Sequence, residues 1–134
     1  MSTKTATLGV RMPRATCDLI RQVSASRGRT PSDLLAEYAE EIARMHRFCH
    51  IEFRDTPLGR MAYVAGTRSA VWLVCDLVRQ NRGDVHRTAR LHQWPETWVR
   101  AALNYAKAYA HEIEPLIERA HAMTDETLRQ LNAA

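Results

Sequence analysis

Three side chains that suit a metal fall close together near the middle of the sequence, at His46, Cys49 and His50. On a helix, His46 and His50 would share one face, with Cys49 beside them. Zinc prefers four ligands, and no second ligand pair follows at a recognisable spacing, although Cys17 or Cys75 could approach in space. We therefore expect these residues to belong to a helix end and a linker, with a zinc site as the alternative.

No set of residues has the spacing of a catalytic site. The tetrapeptide H-E-I-E at 111–114 lacks the second histidine of a zinc-protease helix. Nothing resembles a nucleophile with its base and its orienting group, and no glycine-rich loop is present that would cradle a phosphate. We expect neither an enzyme nor a bound cofactor.

Residues 5–13, T-A-T-L-G-V-R-M-P, alternate between apolar and polar side chains. The apolar positions are Leu8, Val10 and Met12, and the polar positions between them are Thr7, Gly9 and Arg11. This period of two predicts a strand with one apolar and one polar face, which Pro13 ends because it has no N–H to donate. A single strand leaves its backbone groups unpaired, so the segment needs a partner strand.

Two helices are predicted after the strand. The first spans 14–26 and ends at R-G-R, where Gly28 suits a left-handed closing residue. The second begins at T-P-S-D, with Thr30 as cap and Pro31 at the first helical position, and runs to about residue 47. Fewer than fifty residues cannot bury a core alone. We expect a two-fold dimer in which the strand pairs with its own copy, with an intramolecular sheet formed with residues 50–66 as the alternative.

The charges alternate along the chain. Residues 1–29 and 54–107 each carry a net charge of +5, whereas residues 30–53 and 108–134 each carry −3. Almost all the cations are arginines, since Lys4 and Lys107 are the only lysines. Arginine suits phosphate and guanine contacts, so this distribution favours two surfaces that face a polyanion.

Residues 4–47 resemble the ribbon-helix-helix family of DNA-binding domains, of the MetJ, Arc and CopG type. The resemblance rests on the strand exit V-R-M-P, the turn R-G-R-T-P-S-D and the helix lengths. It implies double-stranded DNA as partner, a homodimer joined through the N-terminal strand, and base contacts from the polar strand face. Those base-contact residues are Thr7, Gly9 and Arg11, with Thr5 as a further candidate. The start of the second helix would offer N–H groups to phosphate near Thr30 and Ser32.

The second half predicts a small hairpin followed by helices. Ile51/Phe53 and Met61/Tyr63, with position 65 after them, alternate around a T-P-L-G turn. A helix follows from about residue 70 to N-R-G at 81–83, and Asp84 caps a short helix. A three-residue turn then leads to a longer helix over residues 95–113, which is a helix-turn-helix arrangement. Its exposed candidates for DNA contact are Thr97, Arg100, Asn104 and Lys107, and packing or protein contact is the alternative role of this unit.

Residues 50–116 are similar to the domain-of-unknown-function 433 group, which occurs in VapB-type antitoxins. The motifs that carry the similarity are G-T-R at 66–68 followed by V-W at 71–72, and the helix A-L-N-Y-A. The resemblance implies a partner toxin protein, which the acidic, amphipathic tail at 117–134 would bind.

The sequence thus predicts a mainly α chain: a ribbon-helix-helix module (1–47), a hairpin plus helix-turn-helix module (50–116) and a helical tail (117–134). The expected function is a sequence-specific DNA-binding transcriptional repressor, and its main specific form is an antitoxin that represses its own toxin-antitoxin operon. The alternative is an interaction module whose second half binds a partner protein. No apolar run of membrane length and no apolar signal core is present, and the three cysteines are widely spaced. We therefore expect a cytoplasmic protein with reduced thiols and no membrane partner.

Overall fold

The computed structural model describes residues 4–133, which form six helices and one two-stranded hairpin. In chain order they are α1 (Arg14–Ser26), α2 (Pro31–Arg47), β1 (Ile51–Thr56), β2 (Gly59–Val64), α3 (Val71–Gln80), α4 (Val85–His92), α5 (Glu96–Ala108) and α6 (Ala110–Ala133). The predicted mainly helical fold with a small hairpin is confirmed. The described chain divides into an N-terminal unit, residues 4–40, and a C-terminal unit, residues 41–133, so that α2 begins in one and ends in the other.

The first helix has the predicted bounds, Arg14–Ser26. It begins after Pro13, whose carbonyl accepts the N–H groups of Thr16 and Cys17 at 3.0 and 3.1 Å. It ends before Gly28, which has a φ of +64° and closes the helix in the left-handed region, where a side chain would be strained. The predicted Thr30 cap of α2 is also present, since its hydroxyl accepts the Asp33 N–H at 3.2 Å.

Residues 4–13 carry no strand, which differs from the sequence prediction. A strand exists only through ladder hydrogen bonds to a second strand, and the two strands of the described chain pair with each other. The alternative of an intramolecular sheet with residues 50–66 is therefore wrong for the described chain, since the hairpin there has two strands and no third.

The N-terminal unit buries very little. Within residues 4–40 the buried residues are Ser24 and Leu34. Met12 is partly buried and lines a small groove of about 170 Å³, together with residues of α1 and the start of α2. Most other large apolar side chains of this unit are only partly buried, and Leu8, Val10 and Leu19 remain largely in solvent.

The hairpin of the C-terminal unit is antiparallel, with Ile51 opposite Val64 and Thr56 opposite Gly59. The turn is closed by the Thr56 hydroxyl, which donates to the Gly59 carbonyl at 2.7 Å, and Gly59 has a φ of +107°. Alternate residues of the strands face the helices, and Ile51, Ala62 and Val64 are buried in the core.

The breaks between α3, α4 and α5 lie where the sequence predicts them. Asp84 caps α4, because its carboxylate accepts the Arg87 N–H at 2.9 Å. Gln93, Trp94 and Pro95 separate α4 from α5, and Gln93 is left-handed with a φ of +56°. The core lies between the hairpin and α3, α5 and α6; its fully covered members include Val71, Val99, Ala102 and Tyr105.

A polar cluster fastens α2, α5 and α6 together beside this core. Arg44 donates to the Tyr105 hydroxyl at 2.7 Å and to the Glu112 carboxylate at 3.0 Å. Tyr105 in turn donates to Glu112 at 2.8 Å, and burial followed by this hydrogen bond raises the pKa of its phenol. The guanidinium of Arg44 also lies 3.8 Å from the centre of the Tyr109 ring.

The helix predicted over residues 95–113 is interrupted, which differs from the sequence prediction. Helix α5 ends at Ala108, Tyr109 leaves helical geometry, and α6 starts at Ala110. Helix α6 is buried at Ile113 and Ile117, whereas its residues from 121 onward are exposed. Among the helices of residues 4–133, none is both long and apolar enough to cross a membrane.

Candidate nucleic-acid interface

The predicted base-contact residues Thr5, Thr7, Gly9 and Arg11 are all exposed. Arg11 makes no ion pair within residues 4–133, so its guanidinium is available to a ligand. A Cβ built on Gly9 would meet no atom within 4 Å, and therefore the single chain does not require glycine there. The four residues lie in one short exposed segment, without the regular strand geometry that would set their spacing.

The apolar positions of the same segment are exposed as well. Leu8 is 87% exposed and Val10 is 64% exposed, and Leu19 of α1 is 58% exposed. Such values are unusual for three large apolar side chains in so short a unit, because soluble proteins rarely leave contiguous apolar patches in water. The apolar side chains of the alternating segment, Leu8 and Val10, are therefore not packed against the described chain.

The start of α2 offers fewer donors than the sequence predicts. Thr30 uses its hydroxyl as an acceptor for the Asp33 N–H, and its carbonyl accepts the Leu34 N–H at 3.1 Å. Pro31 has no N–H, which leaves that of Ser32 in the first turn for an anion. Thr30 and Ser32 are both exposed, with the acidic Asp33 beside them.

The four residues predicted on α5 are brought together. Thr97, Arg100, Asn104 and Lys107 are spaced by three, four and three positions, which places them along one helix face. All four line a single groove with a volume of about 560 Å³. We call it the α5 groove; its remaining lining residues are Cys49, His50, Ala101 and Leu103.

Cys49 and His50 were not predicted as part of this site. They lie after α2, separated from it by Phe48, and the carbonyl of His50 accepts the Ala65 N–H at 2.7 Å, which ties the segment to the hairpin. His50 has a φ of +60°, an uncommon value for a residue other than glycine. The signal in the sequence was the cluster at 46–50, which suggests a metal, yet residues 4–133 contain no group of three His, Cys, Asp or Glu side chains that could hold one.

The two cations that line the α5 groove differ in their partners. Arg100 donates from Nη2 to Glu96 at 2.6 Å, and its other two guanidinium nitrogens make no hydrogen bond within residues 4–133. This contact, followed by that of His86, holds the pKa of the Glu96 carboxyl below its usual value. Lys107 has no ion-pair or hydrogen-bond partner in the described chain. No acidic residue lines the groove itself, but Glu96 offsets the charge of Arg100, so Lys107 is the one lining cation within residues 4–133 that has no acidic partner.

A second basic surface lies on α4 and was also not predicted. This helix, V-H-R-T-A-R-L-H, contains no acidic residue, and Arg87 and Arg90 are exposed on it. Neither side chain makes an ion pair within residues 4–133. The neighbouring carboxylate of Asp84 is engaged by the Arg87 backbone. Helices α4 and α5 thus carry a net charge of +3 of the +5 surplus of residues 54–107.

Searches for similar proteins found no matching family model, no matching curated protein and no matching solved structure.

Proposed function

We propose that this chain is a sequence-specific DNA-binding regulator that acts as a homodimer joined through residues 5–13. The proposal assigns a ribbon-helix-helix module to residues 1–47 and a helix-turn-helix module to residues 50–116. One observation carries it: Leu8 and Val10 are largely exposed and alternate with Thr7, Gly9 and Arg11, in a unit with two buried residues.

Pairing with a second copy would give residues 5–13 both backbone hydrogen bonds and burial of their apolar side chains. Antiparallel strands would supply the missing backbone hydrogen bonds, and the Leu8 and Val10 faces would cover α1 and α2 of both copies. The small groove beside Met12 offers further apolar surface for that contact. The polar faces would then lie side by side on a two-stranded ribbon, which has the width of the DNA major groove.

Residues Thr30 and Ser32 would hold backbone phosphate at the start of α2, and the α5 row of Thr97, Arg100, Asn104 and Lys107 would add a second contact. The unpaired state of Lys107 and the exposure of Arg100 favour such a contact. Because each phosphate contact releases counterions, the affinity would fall steeply with salt.

The experiment is a footprint of the full chain on its own promoter, with the Arg11→Ala variant beside it. We expect Arg11→Ala to lower the operator affinity about 100-fold, since a guanine contact is worth about 1–3 kcal/mol and a dimer has two. Arg119→Ala, which removes an exposed arginine of α6, is the matched control and should bind as the parent does. Unchanged operator affinity in Arg11→Ala would overturn the ribbon proposal, as would a monomer in solution.

A second candidate function is supported by α6. On one face of this helix, buried Ile113 and Ile117 are followed by exposed Leu128 and Leu131, so the apolar stripe continues into solvent. This surface suits a partner protein, and an antitoxin that binds a toxin nuclease is the form we propose. A small nuclease-like reading frame beside the gene, whose product co-purifies with the chain, would support it; lack of such a frame would remove it.

A further inference from the structure

Helix α4 carries two neighbouring positive charges that no acid neutralises. Arg87 and Arg90 are exposed, and neither guanidinium makes an ion pair or a hydrogen bond within residues 4–133. They are three positions apart, so their Cβ atoms lie about 5–6 Å from each other on one face of the helix. We call the surface of these two residues the α4 basic face. Because like charges at this spacing repel each other, an anionic partner would stabilise them.

The carboxylates nearest to this face are already engaged. Asp84 caps α4, and its carboxylate accepts the Arg87 backbone N–H at 2.9 Å. The Glu96 carboxylate lies 3.4 Å from Nδ1 of His86 and accepts a hydrogen bond from Arg100 at 2.6 Å. The arginines of the α4 basic face have no share in either contact, so their charge remains for a partner outside the described chain.

The chemistry of the α4 basic face suits a nucleic-acid backbone. Each guanidinium presents a planar fork of N–H donors that can bind two phosphate oxygens at once. A strand of duplex DNA carries one phosphate for about every 3.4 Å of its axis, so two arginines on neighbouring turns of a helix can each contact a phosphate of the same strand.

The α4 basic face also lies beside the row that we propose for DNA on α5. His86 is one helical turn before Arg90 on α4, and its contact to Glu96 reaches the first residue of α5. Glu96 in turn contacts Arg100, which belongs to that row. A duplex that covers the row on α5 would therefore pass close to α4.

We propose that α4 is a backbone-contacting helix, in which Arg87 and Arg90 bind phosphates of the duplex that the α5 row faces. The proposal rests on the proposed function, because it takes duplex DNA as the ligand of α5. Phosphate contacts position a protein on DNA and carry no sequence information, so α4 supplies affinity and register, whereas specificity comes from other residues.

The test is a fluorescence anisotropy titration of the full chain with its promoter duplex and with a duplex of scrambled sequence, at several salt concentrations. The variant Arg87→Gln/Arg90→Gln should bind both duplexes about tenfold or more weakly, and by the same factor, since a dimer loses up to four phosphate contacts. The plot of log affinity against log salt should become shallower by about 3–4, because each contact contributes about 0.9 to its slope.

Two control variants separate charge from position. Arg119→Gln/Arg129→Gln removes two exposed arginines from α6 and changes the net charge equally, and it should keep the parent's affinity and salt slope. Leu91→Ser alters an exposed residue of α4 without changing its charge and should also bind as the parent does. All these positions are exposed, so circular dichroism should show the parent's spectrum for each variant.

The outcomes distinguish this proposal from the proposed function. If the parent binds the promoter duplex and Arg87→Gln/Arg90→Gln keeps its affinity and salt slope, the α4 proposal is overturned while the proposed function stands; the face would then suit an acidic protein, to which Leu91 would add apolar contact. If the variant loses only the preference for the promoter, α4 reads bases and the backbone assignment is wrong. If the parent binds neither duplex, the proposed function fails and the α4 proposal fails with it.

Discussion

The two units of the chain differ in how many of their apolar side chains they bury. The C-terminal unit encloses a continuous core from Phe48 to Ile117, with side chains such as Val99 and Tyr105 fully covered. The N-terminal unit encloses Ser24 and Leu34 and leaves Leu8 and Val10 in water. Since burial of apolar surface is the main driving force of folding, the C-terminal unit has its own source of stability and the N-terminal unit needs an external one.

Exposed leucines occur in both units, and their arrangement distinguishes them. Leu58 projects singly from the hairpin turn, as surface apolar residues commonly do. Leu8 and Val10 instead belong to a segment whose sequence alternates apolar and polar residues. Patterned exposure indicates a surface that is to be covered, whereas scattered exposure indicates none.

The largest expected effect comes from the C-terminal core. Tyr105→Ala should lower the free energy of unfolding by about 3–5 kcal/mol, because it empties a fully buried position and removes the hydroxyl shared by Arg44 and Glu112. Urea denaturation measures the loss, which should not depend on protein concentration. Tyr105→Phe is the control and keeps the ring; a loss as large as that of alanine would mean that the polar cluster, and not the core, stabilises this unit.

The next effect concerns the N-terminal unit. Replacing Leu8 and Val10 together by serine should weaken the dimer at least 100-fold, since full burial of one such side chain is worth about 1.5–3 kcal/mol and a dimer contains four. Analytical ultracentrifugation measures the dissociation constant. Leu58→Ser, a similarly exposed leucine, should leave it unchanged. Equal dimer affinity in the double variant would break the comparison between the units.

A smaller effect should appear at alkaline pH. Burial raises the pKa of the Cys75 thiol from an ordinary 9.0 to about 11. Between these values the unfolded chain loses its proton while the folded chain keeps it, so stability present below pH 9 falls as the pH rises, by about 2–3 kcal/mol at most. Urea denaturation at pH 8 and pH 11 measures the fall. Cys75→Ala should lack this part of it; an identical pH dependence in the variant would show that Cys75 is not its source.

The smallest effect is expected on α6. Replacing Leu128 and Leu131 by serine should change the free energy of unfolding by no more than about 0.5 kcal/mol, as is usual for exposed positions. Thermal unfolding and ultracentrifugation would check both stability and assembly. Dissociation of the dimer in this variant would mean that α6, and not the N-terminal segment, joins the two copies.

Local signals made much of the fold predictable. The bounds of α1, the Thr30 and Asp84 caps and the hairpin turn at Thr56–Gly59 each depend on residues within a few positions of one another. The grouping of Thr97, Arg100, Asn104 and Lys107 was equally predictable, because helical periodicity alone places them on one face.

Features that depend on distant residues were not predictable. The helix predicted across 95–113 breaks at Tyr109, whose ring packs against Phe48 and Arg44 from far along the chain. Cys49 and His50 line the α5 groove for the same reason, since no local pattern relates them to α5. The predicted strand at 5–13 needs a partner strand, and residues 4–133 do not supply one.

Three residues other than glycine have left-handed backbone in the C-terminal unit: His50, Arg82 and Gln93. Each follows the end of a helix, at α2, α3 and α4, where Gly28 serves the same purpose after α1. A left-handed conformation costs such residues about 1–2 kcal/mol, whereas glycine adopts it freely but orders with a larger loss of entropy. Arg82 and Gln93 are therefore positions where glycine would recover thermostability for engineering. His50 is different, because its side chain lines the α5 groove. Replacing it by glycine would remove that side chain from the groove.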